Sequence, residues 1–168
     1  MKLKLVFLPY CHVDPNTRDK FCLEMTFPPL GIATLTGFLR NRGFHVDQDD
    51  LDRKVLHNNW KFEDSEKLEK LIRMECFFDG KRLNREDKEE AREKEAEKIL
   101  KLTKWKGFDI IGFSIPSVDN PSVINVAVTL AKLLKERYDV TIIAGGVMGD
   151  SSMKELLKKK YIDCIILS

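Results

Sequence analysis

The chain has 168 residues, 43% hydrophobic and 33% charged, which is long enough for one well-buried core and too short for two, so one domain is expected. Its 29 basic and 27 acidic residues leave a net charge of +2, and nothing in that balance favours nucleic acid, an anionic membrane or a polyanionic substrate. Cys11, Cys22, Cys76 and Cys164 stand far apart with no Cys-x-x-Cys or Cys/His clustering, so local spacing builds neither a zinc nor an iron–sulfur site, and a reduced, cytoplasmic setting is expected.

Leu3 to Pro9 reads as the first strand: it is aliphatic and β-branched, although Lys4 interrupts it, and Pro9 ends the ladder because it has no N–H to give. It is far shorter than the ~20 residues of a membrane span, and no small-residue cleavage site follows. A loop of mixed polarity runs to Phe27. Pro28-Pro29-Leu30-Gly31 then opens a helix, with Leu30, Ala33, Leu35, Phe38 and Leu39 expected on one face and Arg40, Arg42 and Gly43 closing it. Phe44, Val46 and the acidic run Asp47 to Asp52 give a second strand with a polar end and exit loop.

From Leu51 to Lys106 the texture changes to dense, mixed charge, with Glu66/Lys70, Glu69/Arg73, Glu90/Lys94 and Glu97/Lys101 in the favourable i,i+4 order, which predicts a helical insertion. Leu68, Leu71 and Ile72, then Ala96, Ile99, Leu100 and Leu102, supply a narrow apolar stripe, so its second half is expected to pack on the body of the domain while the charges form a solvated face. The alternation then resumes: strand Phe108 to Ile115, helix Pro121 to Arg137 with Ser122, Val126, Leu130 and Leu133 inside, strand Val140 to Ala144, helix Ser151 to Lys160, and strand Ile162 to Leu167. Five strands separated by helices predict an α/β, doubly wound, flavodoxin-like parallel sheet in the order 2-1-3-4-5. The last strand reaches the final residues with no covering helix after it, so one sheet face is expected to lack its usual layer, and the chain is read as a fragment of a longer protein.

Ser114 closes the third strand, and Gly145-Gly146 follows the fourth, which outlines a crevice beyond the carboxyl ends of the sheet where open α/β folds bind ligands. The loop after the first strand begins Pro9-Tyr10-Cys11-His12, so it carries neither the Gly-x-Gly-x-x-Gly of dinucleotide folds nor the hydroxyl-rich phosphate loop of a flavodoxin. The third strand ends in Ser114 where a phosphorylation receiver carries its phosphoacceptor aspartate. Taken singly, Gly145-Gly146 also reads as a turn leaving a strand, Ser114 as an ordinary strand-end hydroxyl, and Asp109, Asp119 and Asp150 as cap and turn residues.

Ser114-Ile115-Pro116, 28 residues and then Gly145-Gly146 resembles the Ser-x-Leu and Gly-Gly elements of the cobalamin-binding domain family, with Pro116 in place of the leucine. Pro28-Pro29-Leu30-Gly31-Ile32-Ala33, Leu39-Arg40, Gly43-Phe44-His45-Val46 and Phe108 to Ser114 are similar to the cobalamin-binding domains that precede radical S-adenosylmethionine domains. The Asp-x-His-x-x-Gly loop whose histidine holds cobalt in other branches is absent. His12 reads as a surface residue, and neither His45, in a strand pattern, nor His57, in the insertion, is a ligand.

The resemblance implies cobalamin bound with its own base displaced and no protein histidine below the metal. Ser114 would bond the tail base, Gly145 and Gly146 would admit it along the backbone, Pro116 and Val147 would flank it, and the corrin would lie near Tyr10 and Leu30. The Cys-x-x-x-Cys-x-x-Cys motif of an iron–sulfur cluster is absent from these residues, so cluster and S-adenosylmethionine chemistry would belong to a downstream domain in cis, and this stretch would bind without catalysing. Two alternatives stand beside it. One is a cofactor-free flavodoxin-like module mediating domain or subunit contacts. The other is an enzyme using Cys11, His12, Asp14 or Cys22, a set without a third group to orient nucleophile and base.

Overall fold

Short aliphatic runs cannot bury themselves singly, and here they pair into one sheet. The computed structural model describes residues 1–9, 30–54, 85–115, 121–146, 156 and 160–166. Strands β1 (Lys2–Phe7), β2 (His45–Asp50), β3 (Ile110–Ile115), β4 (Thr141–Gly146) and β5 (Cys164–Ile166) form an all-parallel sheet in the order β2-β1-β3-β4-β5. Helices α1 (Leu30–Asn41), α2 (Arg85–Leu100) and α3 (Pro121–Arg137) lie between the strands, the α/β flavodoxin-like arrangement expected from the alternation. No described helix is long and apolar enough to cross a membrane.

The pleat divides the core in two. Leu3 and Leu5 of β1 and Val46 of β2 face α1, where Ile32 joins them and Phe7, Leu39, Phe44 and Ile110 pack around. Val6, Leu8, Ile111, Phe113, Ile115, Ile142 and Ala144 belong to the other, larger cluster with α3, α2 and Trp105. Helix α1 ends in a Schellman motif: Gly43 has φ 84°, its N–H donates to Arg40 O at 3.0 Å, and Phe44 N–H donates to Leu39 O at 3.2 Å.

The acidic run after Val46 supplies the polar end of β2, as expected, with Asp47 to Asp50 paired with Lys4 to Phe7, and the chain leaves the strand in the helical residues 51–54. Lys4, the charge within the first apolar run, lies inside β1, where its side chain is 0% exposed and bonds Asp47 and Asp49. Two sequence expectations change. On α1 the buried residues are Ile32 and Thr36, with Leu39 half-buried, whereas Leu30, Leu35 and Phe38 are exposed. At about 100° per residue Leu30 and Leu39 point in opposite directions, so the five expected residues never formed one stripe. Strand β4 runs on through Gly145 and Gly146, so the pair ends the strand and is not the turn after it.

The insertion's second half packs as expected. Ala96, Ile99 and Leu100 of α2 join the main core, and Glu93 and Glu97 form ion pairs with Lys132 and Arg137 of α3 along the rim. Glu90 and Lys94 pair at 2.6 Å. Glu66/Lys70, Glu69/Arg73, Leu68, Leu71 and Ile72 lie outside the described residues, as does most of the helix expected over Ser151 to Lys160, of which Leu156 is helical and buried.

Candidate functional site

Parallel register sets the carboxyl end of the sheet as a row on one face. Asp50, Phe7, Ser114, Gly145 and Ile166 are successive cross-strand partners across β2, β1, β3, β4 and β5. This is the α1 side of the sheet, yet its apolar cluster stops at Ile110 among the described residues. Towards β5 the row opens: Ser114 and Gly145 are half-buried, and Ile166 is exposed.

Each of the two glycines meets a different constraint. Gly146 has φ 127°, and a Cβ there would stand 2.2 Å from Ile115 O, so backbone geometry and the neighbouring strand both exclude a side chain. At Gly145 a Cβ would lie 3.4 Å from Ile166 O and 3.5 Å from Ile166 Cβ, ordinary contact without a forced backbone. What Gly145 contributes is bare backbone beside the Ser114 hydroxyl, which bonds no other described residue. Ser114 O accepts from Leu8 N–H at 3.2 Å, which holds the strand end to the residue after β1.

The floor is neutral apart from Asp50 at its β2 edge, whose carboxylate accepts the Arg53 N–H at 2.9 Å and caps the helical residues 51–54. Ser114 is the one side-chain hydroxyl among the five residues of the row. Phe7, which forms its β1 portion, was missed in the sequence because only the register with Ser114 puts it in the row. Leu30, at the first turn of α1, is 76% exposed and outside this row. Tyr10, Pro116 and Val147 lie outside the described residues, as do Cys11, His12, Asp14, Cys22 and His57. Asp109 is a strand-start bridge, accepting Lys2 N–H on its carboxylate at 2.6 Å while its own N–H donates to Lys2 O.

The displaced carboxyls are elsewhere. Burial opposes ionisation of Asp49, but hydrogen bonds from Lys4, Lys54 and Thr103 outweigh it and hold the group below the usual carboxylate value. Burial of Asp163 is likewise outweighed by Lys135 and the Ile142 N–H. Both are structural anchors that lie outside the row. Among the described residues no group of His, Cys, Asp and Glu could hold a metal ion. Comparison of the chain with protein-family models, with curated proteins and with solved structures gave no match.

Proposed function

We propose that the row at the carboxyl end of β1, β3 and β4 receives the nucleotide tail of a cobalamin, bound base-off without a histidine from the protein. One observation carries the reading: Ser114 and Gly145 are direct cross-strand partners on the open part of the sheet, which joins a hydroxyl with no described partner to a stretch of bare backbone. Phe7 gives the tail base an aromatic neighbour, Ser114 offers it a hydrogen bond, and Gly145 lets it approach the backbone. Gly146 has the supporting task of keeping the strand end in a conformation that only glycine adopts readily. The motif spacing Ser114-Ile115-Pro116 to Gly145-Gly146 supports the same reading. When bound, the cofactor supplies cobalt-centred group transfer, and the catalytic partner is a radical S-adenosylmethionine domain in cis.

The second reading, a cofactor-free module for domain or subunit contacts, is favoured by the exposed Leu30, Leu35 and Phe38 of α1. Titration with hydroxocobalamin at micromolar protein separates the two. A saturable change in the corrin absorbance is expected, weakened about 3- to 10-fold by Ser114→Ala, the loss of one neutral hydrogen bond. Gly145→Val should abolish the change while circular dichroism is retained. No spectral change, or equal binding by a folded Gly145→Val protein, overturns the cobalamin reading.

A further inference from the structure

The polar cluster beneath β1 and β2 joins parts of the chain that are distant in sequence. Lys4 Nζ, fully buried, donates to Asp49 Oδ2 at 2.8 Å and to Asp47 Oδ2 at 3.0 Å. The same Asp49 carboxylate accepts the Thr103 hydroxyl on Oδ2 and pairs with the Lys54 ammonium through Oδ1. Lys54 belongs to the residues by which the chain leaves β2, and Thr103 to those by which it returns from α2 towards β3. Trp105 and Phe108 close over the Lys4 ammonium, their ring centroids 5.7 and 5.2 Å away, and the Trp105 indole N–H donates to Leu100 O at 2.8 Å. Two ammonium groups and two carboxylates balance the charge.

Stability alone is a poor account of this arrangement, because a buried ion pair is commonly no better than apolar side chains of the same volume. What apolar side chains could not do is hold two separate segments to one atom pair. We infer that Asp49 is a clasp that closes the neck of the insertion, binding its outgoing and returning ends to the β1–β2 edge, with Lys4 as the buried group that orients the clasp. The neck then opens and closes as a unit, and the two ends are energetically coupled although they are separated by the whole insertion. This holds whether or not the crevice binds a cofactor.

Native-state amide hydrogen exchange on the 168-residue chain tests the coupling. Two reporters are available at the neck: Arg53 N–H, bonded to Asp50, and Leu102 N–H, bonded to Ile99 O. Lys54→Met should accelerate exchange at Leu102 as well as Arg53, and Thr103→Val should accelerate it at Arg53 as well as Leu102. About 10- to 100-fold is expected, as for loss of a hydrogen bond to a charged group, with β3 and β4 amides unchanged. Asp49→Asn should release both ends together. Should that variant not fold, the two half-exposed positions decide alone. Effects confined to the mutated end, a uniform rise across all amides, or no change at either reporter would each overturn the clasp.

Discussion

Gly146 and Gly145 are adjacent and identical in sequence, yet the chain requires them for different reasons. Gly146→Ala must place a methyl against Ile115 O and hold alanine at φ 127°, so a loss of about 3 kcal/mol is expected. Gly145→Ala meets ordinary contact with Ile166 and should cost no more than about 1 kcal/mol. Urea unfolding of both variants checks this, and equal losses would remove the distinction between the conformational glycine and the one that keeps the floor bare. The sequence marks both as small without saying which is obligatory, since a positive φ is a property of the backbone. Lys4 is a comparable case: composition shows a charge in an apolar run, and only the pairing of β1 with β2 brings Asp47 and Asp49 to it.

Helix α3 shows what a single periodicity can and cannot reveal about an element. Val126, Leu130 and Leu133, expected inside, are buried, but so are Val123, Ile124, Ala127, Ala131 and Leu134, because the sheet lies on one side of α3 and α2 on another. The wider apolar face was visible in the residues; its second partner was not, since α2 is so highly charged that its own apolar stripe is faint. The contribution of α2 should therefore rest on a few side chains. Ile99→Ala, at a position 3% exposed, is expected to cost about 2–4 kcal/mol, the loss of a branched side chain from a packed site. Glu90→Ala should leave the urea midpoint unmoved, because the Glu90–Lys94 pair is solvated on both sides. If the two midpoints shift alike, the insertion is held by its charges and not by its stripe.

At the scale of the molecule, alternation of strand and helix was sufficient for the sheet order, because parallel neighbours need crossovers and few topologies satisfy them. Of the row at the carboxyl end of the sheet, Ser114 and the glycine pair were legible as strand-end residues, whereas the place of Phe7 beside them depends on register between strands far apart in sequence. The ionic anchors emerge only at this scale too, and they set the response to acid. Asp49 ties β2 to β1 and the insertion neck. Asp163 ties the approach to β5 back to β4 and α3, accepting the Ile142 N–H at 2.7 Å and a bond from Lys135 at 2.8 Å. Both carboxyls lie below their ordinary values in the folded chain, so the unfolded chain binds protons at a higher pH than the folded one does. The stability they contribute is accordingly full above the unfolded carboxylate range, near pH 5, and declines as pH falls through about 4 towards the folded values. Urea midpoints measured from pH 7 to pH 3 should hold level to about pH 5 and then drop, with a shallower drop in Asp163→Asn, which removes one of the two titrating groups. A wild-type midpoint that stays constant, or rises, on acidification would show that these carboxylates do not anchor the fold.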